Sequence, residues 1–299
     1  MKNNFINEIN QRGFFHQCTD QEKLTNLINQ KPIKAYIGFD CTAPSLHVGS
    51  LLQIMCLRMI QKHGHRPIIL LGGGTTLIGD PSGKDSTRRI LNEDTINDNI
   101  GKIKKLFEKL LNFKDEKTKP LFVNNAEWLN KLQYIDFLRT VGKHFTINKM
   151  LSYDSVKLRL EREQSLSYME FNYMILQAYD FYKLNEKHGC DLQIGGSDQW
   201  GNIINGVELI RKMSKNESYG LTTPLITVSS GAKMGKTESG AIWLNEDLLS
   251  PYDYWQFWRN TNDSDVKRFL KYFTEISIDN LEKIINEEKN INNLKILLA

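Results

Sequence analysis

The chain has 299 residues, of which 40% are hydrophobic and 25% charged, a balance that is ordinary for a folded protein and excludes wholesale disorder. At about 150 residues per domain, this length predicts roughly two domains. The net charge of +4 permits contact with a polyanion but does not indicate one.

No segment predicts export or membrane insertion. The first residues lack the apolar stretch of a secretory signal, and the acidic Glu8 argues against a transit peptide. The longest apolar run, IILL at 68–71, is too short to span a bilayer. The four cysteines include no CxxC pair, which fits a reducing compartment. We therefore expect a cytoplasmic protein with neither a membrane nor DNA as a partner.

Short apolar strands alternate with helical patterns over the first two thirds of the chain. Strands are predicted at residues 34–40, 67–74, 121–124 and 191–195. Helical patterns lie between them, at 46–63 and at about 96–111. Strands separated by helices need crossover connections, so we predict an α/β fold with a mostly parallel sheet. Ligands of such sheets bind beyond the carboxyl ends of the strands.

The composition changes after Pro224. Residues 229–240, SSGAKMGKTESG, have the composition of a mobile loop. Ser250 and Pro251 then begin a helical pattern that continues to the last residue. We predict a large α/β domain, a flexible joint at 224–250 and a small helical domain at 251–299.

The first segment that could carry chemistry is GFDCTAPSLHVGS, residues 38–50. It places Asp40, Thr42 and His47 at the start of a helix, where free amides and the helix dipole favour phosphate groups. A capped helix with a surface histidine explains the same residues, so this segment alone leaves both interpretations open.

The second segment, GGGTTLIGDPSGKDSTRR at 72–89, carries Asp80, Lys84 and Arg88 behind a run of glycines. It lacks the GxxxxGK[ST] spacing of a P-loop. Taken alone, it indicates a turn with solvated charges.

The third segment is a helix, EFNYMILQAYDF at 170–181, on which Tyr173, Gln177 and Asp180 share one face. Its apolar neighbours predict burial, and a buried aspartate needs a partner. Either a structural hydrogen-bond network or the wall of a pocket for a small polar molecule satisfies this requirement.

Two more segments complete the set. DLQIGGSDQWGN at 191–202 places Asp198 and Gln199 at a strand-to-helix turn that could hold ribose hydroxyls. KMGKT at 233–237 carries two lysines that could close over a polyphosphate, although solvent exposure explains an isolated lysine pair equally well.

Together and in this order, the five segments resemble tyrosyl-tRNA synthetases of the bacterial and organellar type, over nearly the whole chain. GFDCTAPSLHVGS is similar to the family's HIGH motif, KMGKT is similar to its KMSKS motif, and GGSDQWGN with YMILQAYD is close to diagnostic. The resemblance implies a Rossmann-type catalytic domain at 1–223 with a connective insertion at about 81–190. It further implies a mobile KMSKS-type loop and linker at 224–250, an α-helical anticodon-side domain at 251–299, and a homodimer.

The resemblance also implies a role for each matching residue. Tyrosine would be held by Tyr36 and Asp180 at its hydroxyl, by Asp80, Tyr173 and Gln177 at its ammonium group, and by Gln199. The nucleotide would be bound by Gly38, Asp40, His47, Gly49, Asp198 and Lys236. Catalytic stabilisation of the leaving pyrophosphate would come from Thr42, His47, Lys84, Arg88, Lys233 and Lys236. Asn125 and Trp128 match a stretch beside the pocket.

The implied function is the activation of L-tyrosine with ATP, followed by transfer of tyrosine to the terminal adenosine of tRNA(Tyr). Mg²⁺ would accompany ATP, with no tightly bound protein metal. The alternatives are a non-catalytic RNA-binding paralogue, a tryptophanyl-tRNA synthetase, and a nucleotidyltransferase that acts on a small cofactor precursor.

Three further expectations concern departures from the family and the dimer. Ser50 stands where the family commonly has a second histidine. The chain ends within helical patterning, so the anticodon-side domain is expected to be incomplete and tRNA charging to be weak. Apolar tracts of the connective insertion, such as residues 137–141, are candidates for the dimer interface.

Overall fold

The computed structural model describes residues 4–80, 91–229, 234–237 and 240–299. A six-stranded sheet lies at its centre, built from β1 (Gln17–Cys18), β2 (Lys34–Phe39), β3 (Arg66–Leu71), β4 (Leu121–Asn124), β5 (Leu192–Gly196) and β6 (Tyr219–Thr223). The strand order is β1-β6-β5-β2-β3-β4. All neighbours pair in parallel except β1, which runs antiparallel to β6. The mostly parallel α/β sheet predicted from the sequence is confirmed.

Alternate residues of the central strands enter different hydrophobic cores, because successive side chains of a strand point to opposite faces of the sheet. Ile37 and Ile69 pack into the larger core, whereas Tyr36 and Ile68 pack into a smaller one on the other face. Both faces are therefore covered by helices. Strands β3, β5 and β6 are buried at nearly every position, as in parallel sheets generally, whereas β4 is mostly half-buried.

The helices that precede β4 are α1 (Phe5–Arg12), α2 (Gln21–Gln30), α3 (Leu51–Lys62) and α4 (Glu93–Leu110). Those from β4 to β6 are α5 (Ala126–Leu129), α6 (Tyr134–Thr140), α7 (Ile147–Leu151), α8 (Asp154–Glu161), α9 (Tyr168–His188) and α10 (Trp200–Met213). A short hairpin follows, formed by β7 (Lys236–Thr237) and β8 (Gly240–Ala241). The last helices are α11 (Pro251–Arg259), α12 (Asp263–Phe273), α13 (Ile278–Glu287) and α14 (Ile291–Leu298).

Local sequence explains where the two helices nearest the site begin. The helix predicted at 46–63 starts as a 3-10 turn at Val48–Ser50 and continues as α3. Helix α9 begins at a capping box, in which Ser167 and Glu170 bond each other's backbone amides, and ends at Gly189 in the left-handed region. It is therefore longer at both ends than the predicted segment 170–181.

Two of the C-terminal helices, α12 and α13, contact the first helix of the chain. Arg12 on α1 forms an ion pair with Glu8 and donates hydrogen bonds to three backbone carbonyls, those of Lys271 (3.0 Å), Thr274 (2.8 Å) and Ile276 (2.7 Å). Residues of α12, α13 and α14 belong to the same hydrophobic core as α1 and α3. The division of the chain into domains remains a prediction.

Within the described ranges, no helix is both long enough and apolar enough to cross a lipid bilayer.

Candidate active site

A cavity of about 560 Å³ opens at the carboxyl ends of β2, β3 and β5, where the sheet topology places ligands. Twelve of the residues predicted from the sequence line it: Tyr36, Gly38, Asp40, Thr42, His47, Gly49, Asp80, Tyr173, Gln177, Asp180, Asp198 and Gln199. Lys84, Arg88 and Lys233 lie outside the described residues, and Lys236 is described only by its backbone in β7. The fold thus brings together segments that are up to about 160 positions apart.

Asp180 on α9 is among the most deeply buried side chains of the cavity, with only 2% exposure. Its two carboxylate oxygens accept hydrogen bonds from Asn125 Nδ2 (2.9 Å) and from Trp128 Nε1 (2.7 Å). Burial raises the pKa of this carboxyl to about 7, against the effect of the two hydrogen bonds, which lower it. A buried aspartate needs hydrogen-bond partners. Asp180 finds them in two donors on the segment after β4, Asn125 and Trp128.

Tyr36 on β2 lies beside Asp180 and is 1% exposed. Burial, and then the charge of Asp180, raise the pKa of its phenol well above the ordinary value, so its hydroxyl stays protonated. Among the described residues, this hydroxyl has no hydrogen-bond partner. We call Tyr36, Asn125, Trp128 and Asp180 the inner end of the cavity; it offers one unpaired hydroxyl next to a carboxylate.

A chain of amides connects the two helices that border the cavity. Gln199 Nε2 donates to Asp80 Oδ2 (2.9 Å), and Asn202 Nδ2 donates both to Gln199 Oε1 (3.1 Å) and to Gln177 Oε1 (2.9 Å). Sequence analysis missed Asn202, although it follows Gln199 by three positions and therefore lies on the same side of its helix. These bonds fix the orientation of the amide and carboxylate groups that face the middle of the cavity.

Asp40 links the middle of the cavity to its inner end. Its Oδ1 accepts hydrogen bonds from Tyr173 Oη and from Thr75 Oγ1, both at 3.3 Å. Thr75 Oγ1 in turn accepts a bond from Asn125 Nδ2 at 3.0 Å, so one amide serves both Asp180 and Thr75. The charge of Asp40 also contributes to the raised pKa of Asp180.

We call His47, Gly49, Gly235 and Trp243 the outer end of the cavity. His47 Nδ1 accepts a hydrogen bond from the backbone amide of Gly49 at 2.9 Å, so a neutral ring carries its proton on Nε2. The backbone of His47 forms an antiparallel bridge with that of Trp243. Two backbone bonds flank it, from Val48 N to Ile242 O (2.8 Å) and from Leu244 N to Leu46 O (2.9 Å).

The segment similar to the KMSKS motif contacts the segment similar to the HIGH motif through Gly235. This glycine has φ +94°, and a Cβ on it would lie 2.7 Å from Gly49 N and 2.8 Å from His47 Nδ1. Any side chain would therefore push the two segments apart. The sequence indicated a phosphate site in each segment but not their direct contact.

Ser50 also lines the cavity, one turn before Gln53 on α3. Gln53 Nε2 donates to Thr223 Oγ1 at 2.9 Å, while its Oε1 is buried and has no partner among the described residues. Sequence analysis did not identify Gln53, although its spacing of three from Ser50 places it on the same helix face.

Metal-ligating side chains do not cluster in the part of the chain that the structure describes: no group of three or more His, Cys, Asp or Glu is placed to hold an ion there.

Comparison with known proteins places the chain in a family. Residues 28–299 match the model of the family described as tRNA synthetases class I (W and Y). Tyrosine–tRNA ligase of Pelagibacter ubique is 69% identical over 297 residues, which cover 99% of this chain and 72% of that protein. Tyrosine–tRNA ligase of Zymomonas mobilis is 58% identical over 299 residues, which cover 100% and 73%.

Solved structures agree with the sequence relatives. The crystal structure of a C-terminally truncated mitochondrial tyrosyl-tRNA synthetase of Aspergillus nidulans superposes with a TM-score of 0.85 at 32% identity, covering 98% of this chain and 86% of that one. The family model, the relatives and the sheet of Rossmann type all agree with the resemblance seen in the sequence. The chain belongs to the tyrosine–tRNA ligases, a family of class I tRNA synthetases.

Proposed function

We propose that this protein joins the carboxylate of L-tyrosine to the α-phosphate of ATP, releases pyrophosphate, and then transfers tyrosine to the terminal adenosine of tRNA(Tyr). Membership of the tyrosine–tRNA ligases implies this reaction. The observation that supports it most directly is the inner end of the cavity, where an unpaired phenol lies beside a buried carboxylate.

The inner end suits a phenolic hydroxyl. The substrate hydroxyl would donate to Asp180, whose remaining hydrogen bonds come from fixed donors, and would accept from the hydroxyl of Tyr36. Phenylalanine would leave the Tyr36 hydroxyl unpaired and would give Asp180 no hydrogen bond beyond those from Asn125 and Trp128, which costs more than a lost methylene. Tyrosyl-tRNA synthetase is itself the usual example of this rule. An indole would present its N–H at a different position, which disfavours tryptophan.

The middle of the cavity suits the amino acid's charged groups. Asp80, Tyr173 and Gln177 would hold the ammonium group, because a carboxylate, a phenol and an amide oxygen can all accept its protons. Gln199 would position the carboxylate of the substrate. The amide chain through Asn202 supports this assignment, since it keeps the oxygens of Gln177 and Gln199 from rotating.

Activation needs no general base, because the tyrosine carboxylate is already ionised at neutral pH. One of its oxygens attacks the α-phosphorus of ATP, the bond to the bridging oxygen breaks, and pyrophosphate leaves with the electron pair. The protein's task is to align the reactants and to stabilise the charge on pyrophosphate. We assign the stabilisation of that charge to Thr42, His47, Lys84, Arg88, Lys233 and Lys236. Binding of the rest of the nucleotide is assigned to Gly38, Asp40, Gly49 and Asp198.

We propose that Mg²⁺ enters the cavity bound to the phosphates of ATP. This ion keeps several of its waters and binds phosphate oxygens in preference to a site made only of protein groups. In the second step, a ribose hydroxyl of the terminal adenosine attacks the activated carbonyl carbon of tyrosine and AMP leaves. We propose the cytoplasm as the site of both steps.

A homodimer is the proposed assembly, with the connective insertion as its interface. Tyr134 and Ile135 on α6 are 61% and 63% exposed, and Leu138, Ile147 and Tyr168 are exposed as well. Large apolar side chains in such a group are typical of a surface that another chain covers. Within the tract predicted at 137–141, Leu138 is exposed, whereas Val141 is buried and Phe137 packs on Tyr179, so Leu138 is the residue of this tract that we propose for the interface. Sedimentation of wild type and of Ile135→Lys tests this assembly: a dimer that becomes a folded monomer is expected.

The decisive experiment is the exchange of pyrophosphate into ATP, measured with tyrosine, phenylalanine or tryptophan, in wild type and in Asp180→Ala. Exchange with tyrosine alone, weakened or made unselective by the substitution, is expected. Preference for tryptophan would support the tryptophanyl alternative. No exchange with any of the three by folded protein would contradict the proposed activity and favour an RNA-binding paralogue.

A further inference from the structure

The chain segment that leaves β6 is tied to α12 by two side chains that do not line the cavity. We call residues 226–229 the stem, and Asp265 with Arg268 the stem anchor. The backbone amide of Ser229 donates to Asp265 Oδ2 at 2.8 Å. Arg268 Nη2 donates to the carbonyl of Thr227 and to Asp265 Oδ1, both at 2.6 Å. The anchor thus binds one donor and one acceptor of the stem backbone.

Burial gives these contacts their strength. Asp265 is only 4% exposed, in the first turn of α12, and both of its carboxylate oxygens accept hydrogen bonds. If the stem moved away, Asp265 would lose the hydrogen bond from Ser229 and Arg268 would lose the one to Thr227, while the ion pair between Asp265 and Arg268 within α12 would remain. The planar guanidinium of Arg268 can bond the stem carbonyl and the carboxylate together, which a lysine ammonium does with much less directional control.

The stem leads directly to the outer end of the cavity. Ile226 O accepts a hydrogen bond from Met234 N at 3.0 Å, which joins the stem to the KMSKS-type segment. Gly235, the next residue, lies against His47 and Gly49. A continuous series of contacts therefore runs from α12 through the stem to the two motif segments.

Helix α12 packs into the same hydrophobic core as α3, the helix that follows the HIGH-type segment. Val266 and Phe269 belong to the larger core together with Leu52 and Leu57 of α3, the helix that follows the first motif. The stem is consequently anchored to a body that already fixes the position of His47. This arrangement sets the distance between the two motif segments from outside the cavity.

We propose that Asp265 and Arg268 are positioning residues for adenylate formation: by fixing the stem, they hold the KMSKS-type segment against His47 and Gly49. The proposal rests on the proposed function, in which the lysines of that segment stabilise the departing pyrophosphate. Neither side chain lines the cavity, so the anchor affects turnover and ATP use, whereas tyrosine binds at the inner end without it.

The test compares Arg268→Gln, Arg268→Lys and Asp265→Asn with Lys271→Gln, a control on the same helix whose side chain pairs with Glu282 and does not contact the stem. We expect Arg268→Gln to lower kcat for tyrosine-dependent exchange at least tenfold, with the Kd for tyrosine within twofold of wild type. Arg268→Lys recovers part of the loss. Asp265→Asn has a smaller effect than Arg268→Gln, because its amide oxygen still accepts from Ser229. Lys271→Gln leaves both values unchanged.

A second measurement separates the anchor from the chemistry. Hydrogen–deuterium exchange of the Ser229 amide is expected to accelerate in Arg268→Gln and Asp265→Asn but not in Lys271→Gln. Unchanged kcat in the folded variants, or a tyrosine Kd that weakens in parallel with kcat, would overturn the proposal. If wild type lacked tyrosine-dependent exchange altogether, the proposed function would fail, whereas faster Ser229 exchange in the variants would still support the anchor.

Discussion

The inner and outer ends of the cavity are built in different ways. The inner end consists of buried side chains that bond one another, so its geometry is fixed by Asp180 and its two donors. The outer end is a contact between backbone segments, in which Gly235 lies against His47 and Gly49. Under the proposed function, this difference predicts that selection of the amino acid and acceleration of the reaction are separate tasks. Substitutions at the inner end should change which substrate binds, and those at the outer end should change how fast it reacts.

The largest effect is expected for Asp180→Asn. The amide group would direct its own NH₂ towards Asn125 or Trp128, which are both donors, and would remove the charge that accepts the substrate hydroxyl. Losing a charged hydrogen bond and leaving a donor unpaired costs about 3–4 kcal/mol, or roughly 100- to 1,000-fold in kcat/KM for tyrosine. Pyrophosphate exchange measures it, with Glu186→Gln on the exposed side of α9 as control. A loss below fivefold would remove Asp180 from substrate selection.

The outer end is tested by His47→Ala. Removing one group that stabilises developing charge lowers kcat by about 100-fold, because such groups act mainly in the transition state. The Kd for tyrosine should stay within twofold, since His47 lies away from the inner end. Equilibrium dialysis measures the Kd for tyrosine, and pyrophosphate exchange kinetics measure kcat. If the Kd for tyrosine rose by as large a factor as kcat fell, the two ends of the cavity would not have separate functions.

A pH series tests the inner end alone. With a carboxyl pKa of about 7 in the unliganded protein, Asp180 gains a proton between pH 8 and pH 6. Tyrosine needs the ionised form, so its Kd should rise by about tenfold over that range. Because this pKa is raised in the folded state, the same group lowers the free energy of unfolding as pH increases from about 4 to about 7. Dialysis at each pH measures the Kd, and Asp180→Asn should show a flat profile.

Tyr36→Phe tests whether a residue of the inner end serves substrate binding without stabilising the unliganded protein. Loss of one neutral hydrogen bond lowers kcat/KM for tyrosine by about 2- to 10-fold. The unliganded protein should not be destabilised and should gain up to about 1 kcal/mol in free energy of unfolding, because a buried hydroxyl without a partner disappears. Urea unfolding with and without tyrosine measures both effects. Destabilisation of the unliganded variant would mean that Tyr36 has a partner in solution.

The smallest effect is expected for Ser50→His, which changes kcat less than about threefold, well below the effect of His47→Ala. Ser50 lines the cavity where the family commonly has a second histidine, and Gln53 occupies the same helix face. Exchange at saturating ATP and tyrosine is the measurement. A loss similar to that of His47→Ala would show that Ser50 itself is needed.

The sequence predicted those parts of the fold that depend on local patterns. The alternation of KAYIGFD and PIILL with helical segments predicted β2, β3 and the parallel sheet. Strand β6 was missed because YGLTT contains only two large apolar residues, Tyr219 and Leu221, and so lacks the apolar run that identified β3. Strand β1 has only two residues and exists because β6 provides an edge for it.

The residues of the site were identified through their motifs, but their connections were not. The bonds from Asn125 and Trp128 to Asp180 join positions more than 50 residues apart, and no local pattern predicts them. The contact of Gly235 with Gly49 likewise depends on the course of the chain around the sheet. Such partners follow from tertiary packing, which residue spacing does not encode.

The attachment of Arg12 to the backbone near residue 274 has a consequence for synthesis on the ribosome. Its carbonyl partners lie 259–264 positions later in the chain. At about 5–20 residues per second, helix α1 waits roughly 13–50 s after its own translation before these partners exist. During that interval its apolar face, with Phe5 and Ile9, lacks part of the core that later covers it. The apolar face of the nascent helix α1 therefore stays partly uncovered until residues 271–276 have emerged.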